Sequence, residues 1–578
     1  MNESLEHKRH TLAHLLAAAV LEKYPHAKLT LGPAIDTGFY YDIDFSSGEA
    51  PGDADLKDLQ KSMKKLLNKW TEFTHEEVSA AVARERFTGN QFKLELINEI
   101  EEKGETITLY TCGGFTDLCR GGHCEHPKDE LDTDAFKLDK VAGAYWRGNE
   151  KNPMLTRIYG LAFETREDLE AYEKQIDEAQ KRDHRKLGKE LGLFTISPLV
   201  GAGLPLLKPK GMIIRQEIEN YLWELHKDKG YSRVWTPHIT NISLYETSGH
   251  AEKFGEELFR VKGGDEDFAL KPMNCPHHMQ IFSDDQFSYR DMPVRYFEPA
   301  TVYRYEKSGQ LSGLTRVRAI TQDDGHLFCR TSQITEEVST IVGIIREFYG
   351  RIGLLNDYWV SLSVRGGDNM YLGSDEVWEE AEAALETAAK QNELKYKRIE
   401  GEAAFYGPKL DFMFKDAIGR EWQLATIQCD FNLPERFNLS FVNEKGEKER
   451  PVVIHRAISG SLERFMGVMI EHFAGNFPLW LSPTQLAIIP VADAHAEYAA
   501  EVAEILRKQN FRVELDASNE SMGKKIRHAK QMKLPYFIVI GDKEISDKTI
   551  TLESRDTGTS EVLIVDELIK KLESEVSV

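Results

Sequence analysis

Apolar residues at Leu5, Leu12, Leu15, Leu16, Ala19 and Val20 recur at helical spacing and stop before Pro25, which predicts an amphipathic helix over residues 4–24. Beyond it, residues up to about 160 mix short alternating runs such as Gly38–Asp44 with charged helical stretches, and this first region closes near Tyr145, Trp146, Arg147 and Gly148. Between residues 166 and 190 apolar positions thin out and charges crowd in, including the basic run 181–186, so one exposed connecting helix is expected there, a solvated face before an RNA contact. From about 190 to 480, helices alternate with long strand-like runs. Residues 409–414 and 420–429 flank the turn 415–419, a hairpin that indicates an antiparallel sheet flanked by helices. The last hundred residues read strand (486–491), helix to Gln509, strand (512–515), helix, strand (536–540). That βαβαβ order predicts a small doubly wound module that binds at its strand-to-helix connections. The expected fold class is multidomain α/β (α+β), divided as 1–161, 162–190, 191–480 and 481–578.

Composition narrows the setting. The chain has 578 residues, 41% hydrophobic and 29% charged, enough for about three or four domains with their own cores. No basic-then-apolar leader opens the sequence, and no run approaches the roughly 20 apolar residues of a membrane span, so a soluble cytoplasmic protein without a membrane partner is expected. Six cysteines are too few and too unevenly placed for a disulfide framework and read as ligands, nucleophiles or core residues. A net charge of −22 argues against indiscriminate binding to polyanions. It leaves local basic faces open.

The richest segment runs Thr301-Val302-Tyr303-Arg304-Tyr305-Glu306, then a Ser/Gly loop, then Arg316 to His326. Two strands and a loop are implied. With period two kept from Arg316, the side chains of Arg316, Arg318, Gln322, Asp324 and His326 share one face, opposite Val317 and Ala319. A wholly polar strand face standing alone is most simply a solvated outer face. Downstream, residues 451–456 read as a strand broken by Gly460, with Ser461-Leu462-Glu463-Arg464-Phe465 beginning a helix. A helix ending near Gly230 is followed by Val234-Trp235-Thr236-Pro237.

Together these segments resemble motifs 2, 3 and 1 of the class II aminoacyl-tRNA synthetases, and Gln322-Asp323-Asp324-Gly325-His326 is similar to the version found in the threonyl members. The resemblance implies an antiparallel class II catalytic core. In it Arg304 clamps the ATP α-phosphate and the substrate carboxylate, Glu306 accepts from the adenine amino group, and Arg316 and Arg464 hold the phosphates and adenine. Arginine's fixed fork of donors suits two oxyanions brought together for attack. Lys409 would support phosphoryl transfer, Gln423 and Thr426 would frame the nucleotide, and Gln322, Asp324, Tyr406 and Gln428 the threonine. Motif 1 implies a homodimer, and Mg2+ accompanies ATP. The reaction expected is ATP-dependent activation of L-threonine and its transfer to tRNA(Thr).

The same resemblance groups Cys275, His326 and His455 as the ligands of one zinc ion per subunit, a set that no spacing reveals. Three protein ligands leave a position open for the substrate amino and hydroxyl groups. A site built for a hydroxyl rejects an isostere lacking it by ~10⁴ or more, so valine is excluded. Serine differs only by a methyl, worth ~1 to 3 kcal/mol, so a second site is required.

His10 and His14 stand at i and i+4, and Cys119-Arg120-Gly121-Gly122-His123 brings two more donors. Read on their own, these four describe a metal centre. The pair of motifs also resembles the editing domain shared by threonyl and alanyl synthetases, in which Lys93 and Asp117 would bind the terminal ribose and aminoacyl group while a histidine orients water for hydrolysis of seryl-tRNA(Thr). The C-terminal module resembles the anticodon-binding domain of the same enzyme group, with Asn519, Lys524, Arg527 and Glu544 near its binding edge. Many bacterial members begin with a ubiquitin-like domain, for which no room is expected before His10. A catalytically silent, synthetase-like RNA-binding regulator would have lost Arg304, Arg464 or a zinc ligand, and none is lost. A hydrolase confined to misacylated tRNA would leave about 400 residues without a purpose.

Overall fold

A computed structural model describes residues 3–367 and 371–576, which fall into two compact units, residues 3–177 and 178–576. Among the described residues no helix is long and apolar enough to cross a membrane.

The first unit begins with the helix Glu3–Lys23, whose Leu12, Leu15, Leu16, Ala19 and Val20 are buried against strand Gly38–Asp44 and helix Leu56–Leu67. The strand Gly38–Asp44 pairs with Met154–Ala162, which pairs with Phe136–Tyr145. A second sheet comprises Thr74–Val78, Ile107–Cys112 and Phe115–Leu118. The connecting stretch differs from the single exposed helix expected. It is two helices, Arg166–Arg182 and His184–Glu190, and the second starts afresh because the Asp183 side chain accepts from the Arg185 amide. Its His184 and Leu187 are buried, a docking that charge density along the chain conceals.

The second unit is organised by an eight-stranded sheet: Tyr231–Arg233, Val294–Tyr303, Ala319–Cys329, Val452–Ser461, Glu421–Asp430, Lys409–Lys415, Tyr358–Val364 and Tyr396–Glu400. Its outermost pairs are parallel and the interior pairs antiparallel. Alternation sorts the two faces. Leu327, Cys329, Ile454, Ile458, Ile427, Leu410 and Phe412 enter one apolar core with helices Ile334–Ile352 and Leu462–His472, while the residues between them face the other way. Burying a methylene-rich face of this kind is the main driving force for the unit.

Two sequence expectations change here. The strand after the motif 2 loop starts at Ala319, so Arg316 and Arg318 lie in the loop and do not share the strand face with Gln322, Asp324 and His326. The register against Val452–Ser461 also shifts between Gln322 and Asp324. Gly460 does not break the motif 3 strand. Its φ of 73° lets the chain bulge past the Leu424 carbonyl, which a Cβ would meet at 2.6 Å, and the strand runs on to Ser461.

The apolar face also carries ion pairs, among them Arg295 with Glu337 at 2.6 Å and Arg456 with Asp323. Arg456, fully buried, donates to the Asp323 carbonyl at 2.5 Å and lies 3.6 Å from its carboxylate, which also accepts from the Ile458 and Ser459 amides and the Ser459 hydroxyl. Gly325 makes room, since a Cβ there would lie 2.5 Å from the guanidinium carbon. Asp323→Ala strands a buried cation, so a loss of about 3 to 5 kcal/mol is expected, read by urea or thermal unfolding. A change below 1 kcal/mol would refute this.

The C-terminal module shows the expected βαβαβ order, Leu486–Pro490, Ala496–Lys508, Val513–Leu515, Met522–Gln531 and Tyr536–Ile540, extended by the antiparallel strands Ile550–Ser554 and Ser560–Leu563.

Candidate active site and candidate editing site

Sheet register assembles the first site. His326 pairs with His455 across neighbouring strands, His455 with Gln428, and Gln428 with Lys409, so four residues far apart in the chain form one row. The next row holds Asp324, Ala457, Thr426 and Asp411. Cys275 opens helix Cys275–Asp284, and its sulfur and one nitrogen each of His326 and His455 lie within 4.8 Å of one another, all buried.

Each of these histidines has one nitrogen engaged. His455 Nε2 is 2.8 Å from Asp430 Oδ2, and His326 Nδ1 is 2.8 Å from His278 Nδ1. Burial, aided by Asp324 and Asp430, pushes the Cys275 thiol well above its ordinary range, while burial and the neighbouring imidazoles keep His326 neutral. A buried thiol beside two imidazoles, each with one nitrogen anchored, fits a divalent cation that would stabilise the thiolate.

Around this cluster Asp324 accepts from the Asn274 amide at 3.0 Å, and the Tyr406 hydroxyl donates to Gln428 Oε1 at 2.5 Å. Lys409 is paired with Asp411, which also accepts from Thr426 Oγ1 at 2.8 Å. Gln322 lies half-buried and Gln423 exposed on the same strands as these neighbours.

Three arginines supply the positive charge. Arg304 leans on Phe254, 5.1 Å from the ring centre, and donates to the Pro272 carbonyl; among the described residues no carboxylate pairs with it. Arg464 sits in the first turn of helix Leu462–His472, where the Ser461 hydroxyl caps its amide, and its Nε donates to the Thr315 carbonyl. Burial lowers both guanidinium pKa values, which remain cationic. Arg316 is paired with Glu306 at 2.8 Å, so each occupies the other's charge in this structure. Arg304→Lys keeps the charge but loses the fork, so threonine-dependent ATP–pyrophosphate exchange is expected to fall by about 10² to 10³. Exchange within threefold of the parent would count against this placement.

Several residues at the site carry no mark in the sequence. His250 Nε2 lies 3.6 Å from Cys275 Sγ, its other nitrogen is held by Ser248, and burial lowers its pKa to about 3. Asn274, Asp430, His278 and Glu298 are likewise single residues that only the fold brings in. His278 stands in the run Lys271 to His278, whose doubled histidine was the one available signal.

The first unit holds a cavity of about 890 Å³, lined among others by His10, His14, Lys93, Asp117 and Cys119. His123 lies behind its wall, stacked on Phe73 at 4.2 Å, with Nε2 3.3 Å from Cys119 Sγ. One donor atom from each of His10, His14, Cys119 and His123 falls within 4.8 Å of the others. The loop reaches this position because Gly121 and Gly122 take φ of 95° and 81°. Burial lowers His10 and His14, and brings His123 to about 2 and Cys119 up to about 11. The cluster is therefore neutral imidazoles and a thiol, able to orient water and poor as a nucleophile. Lys93 Nζ meets Asp117 Oδ1 at 2.5 Å, both buried, and Tyr41, absent from the sequence reading, donates to the same carboxylate at 2.5 Å.

In the C-terminal module Asn519, Lys524 and Arg527 are exposed, whereas both Glu544 oxygens are engaged by the Gly541 amide and the Thr551 hydroxyl.

Sheet, arginines and C-terminal module together are those of a class II aminoacyl-tRNA synthetase. Residues 259–473 match the tRNA synthetase class II core domain (G, H, P, S and T), residues 485–575 the anticodon binding domain, and residues 107–159 the threonyl and alanyl tRNA synthetase second additional domain. The chain is 48% identical to the threonine–tRNA ligase of Rubrobacter xylanophilus, over 96% of this chain and 86% of that protein. It is 46% identical to that of Gloeobacter violaceus, over 100% of this chain and 93% of that protein. A crystal structure of the RNA binding domain of threonyl-tRNA synthetase from Cryptosporidium parvum superposes with a TM-score of 0.66 at 39% identity, covering 68% of this chain and 98% of that one. The chain belongs to the threonine–tRNA ligase family.

Proposed function

We propose that the chain activates L-threonine with ATP to threonyl-adenylate, transfers it to tRNA(Thr), and hydrolyses seryl-tRNA(Thr) in its first unit. The observation that carries the first part is the row of His326, His455, Gln428 and Lys409 beside the guanidinium of Arg304, with which no carboxylate forms an ion pair among the described residues. It would set an amino-acid pocket against an anion-binding one. Arg304 would hold the carboxylate and α-phosphate oxygens at the distance of attack and stabilise the charge that develops on phosphorus. Arg464 and Arg316 would take the remaining phosphates, with Mg2+ accompanying the nucleotide. Lys409, restrained by Asp411, would complete the cationic ring. Glu306 and Thr426 would face adenine and ribose with Gln423. Asp324, Gln322, Tyr406 and Gln428 would orient the amino acid.

Cys275, His326 and His455 would hold one zinc ion, whose chemistry is to take the amino and hydroxyl groups of threonine together. In the first unit, Lys93 and Asp117 would hold the terminal ribose and aminoacyl group while His14 orients water. Asn519, Lys524, Arg527 and Glu544 remain the candidate anticodon contacts. A homodimer is supported by large apolar side chains left in the open, Leu199 at 99% exposure and Trp235 at 74%. The deciding experiment is ATP–pyrophosphate exchange driven by threonine, with zinc content measured in the same preparation. Absence of threonine-dependent exchange would reject the reading in favour of a silent RNA-binding homologue.

A further inference from the structure

Among the described residues, His455 and His326 are anchored differently. His455 meets a carboxylate directly: Asp430 Oδ2 accepts from its Nε2, and Asp430 Oδ1 is fixed by the Asn432 and Leu433 amides. His326 has no carboxylate within 3.5 Å of Nδ1, the nearest being Asp324 Oδ1 at 4.0 Å. Its Nδ1 instead meets Nδ1 of His278 at 2.8 Å, and His278 Nε2 meets Glu298 Oε2 at 3.0 Å. Glu298 is in turn locked by the Thr236 amide at 2.7 Å and hydroxyl at 2.9 Å, with Lys271 at 3.8 Å. All of these groups are buried.

Proton bookkeeping along this line has one solution compatible with a ligand at His326. Burial alone would raise the Glu298 carboxyl, but His278 and Lys271 bring it below the ordinary range, so Glu298 accepts only. The proton shared between Glu298 and His278 therefore sits on His278 Nε2. A neutral His278 then has a lone pair on Nδ1, so the proton between the two rings belongs to His326 Nδ1. That leaves His326 Nε2 with its lone pair. Were His278 doubly protonated, His326 would have to accept at Nδ1 and carry its proton on Nε2, where a metal needs the lone pair.

We infer that His278, backed by Glu298, is a positioning residue that fixes the tautomer and orientation of His326 and thereby sets the zinc affinity of the catalytic unit. This rests on the reading of Cys275, His326 and His455 as zinc ligands. It assigns His278, three residues after a ligand in the same helix, a role other than ligation: its Nδ1 and Nε2 are both committed within the protein. The two ligand histidines thus differ in how they respond to change. One relies on a single carboxylate, the other on a two-residue relay ending in a carboxylate that also ties down Thr236.

The test uses two amide substitutions of the full chain that are alike in polarity. Asparagine at 278 places its oxygen near the imidazole Nδ1 position and still accepts from His326. Glutamine places its amide near the Nε2 position, reaching Glu298 and leaving His326 Nδ1 without an acceptor. Zinc-free protein is titrated with zinc against a chromophoric chelator, and cobalt(II) is substituted to read the ligand-field band. His278→Gln is expected to weaken zinc binding by about 10- to 100-fold and to shift the cobalt band, whereas His278→Asn retains most of the parent's affinity and its band. Equal affinities in the parent and both variants would overturn the relay, and so would equal losses in both, which would point to packing. A parent chain that takes up no zinc would overturn the zinc reading itself, and the relay with it.

Discussion

Cys275→Ala is expected to collapse the preference for threonine over valine from ~10⁴ or more to ~10² or less, because only packing against one methyl or hydroxyl then distinguishes the two. The loss should come mainly from threonine: its kcat/KM in pyrophosphate exchange falls by about 10² or more while the feeble exchange with valine changes little. The physical reason is the state of the cluster. With the sulfur gone only His326 and His455 of the cluster remain, and the site lies too deep for water to replace the lost ligand cheaply. Zinc content should fall in parallel, read by atomic absorption. A variant that keeps its zinc, or that still rejects valine by 10⁴, would remove selection from this cluster. Because Arg304 and Arg464 are untouched, binding of ATP alone should be unaffected, which separates loss of selection from loss of fold.

His14→Ala is expected to slow deacylation of seryl-tRNA by about 10² to 10⁴, the range of a lost general base, with threonine activation unchanged. His14 is the buried member of the cluster on the cavity wall, its Nδ1 3.7 Å from Asp117 Oδ2 and without a hydrogen-bond partner. Burial and the neighbouring His10 and Lys93 lower its pKa well below the ordinary value, so the imidazole is in its basic form at neutral pH. The measurement is hydrolysis of preformed seryl-tRNA alongside threonine-dependent pyrophosphate exchange in one preparation. Deacylation at the parent rate would move the catalytic base elsewhere, His10 being the next candidate, with Nε2 3.5 Å from Cys119 Sγ.

The extent to which the chain could be read in advance differs between its parts. The N-terminal helix, the hairpin of Lys409–Lys415 with Glu421–Asp430 and the βαβαβ order all follow local periodicity, and each is present. The connecting helix failed because its charge density masks a docked second half, where His184 donates or accepts at both ring nitrogens, towards Glu471 and the Leu314 amide. The period-two reading of Arg316 to His326 failed at its start. A loop residue hydrogen-bonded across a turn keeps the same polarity as a strand residue, so polarity alone does not locate the strand's first pair.

By itself, the sequence determined which residues are available: the arginines of motifs 2 and 3, a cysteine and two histidines, and two histidine-bearing motifs near the start. Through its resemblance it also determined the family to which they point. Tertiary structure alone decided which of them meet. His326 and His455 are 129 positions apart yet face one another because two antiparallel strands share a register, and a one-residue slip of either strand would send its histidine to the opposite face. The same holds for His278, Glu298, Asp430 and Tyr41. Each is a single polar residue in an apolar or mixed run, and its role comes from the buried partner it has to satisfy, a constraint imposed by burial and absent from the chain until it folds.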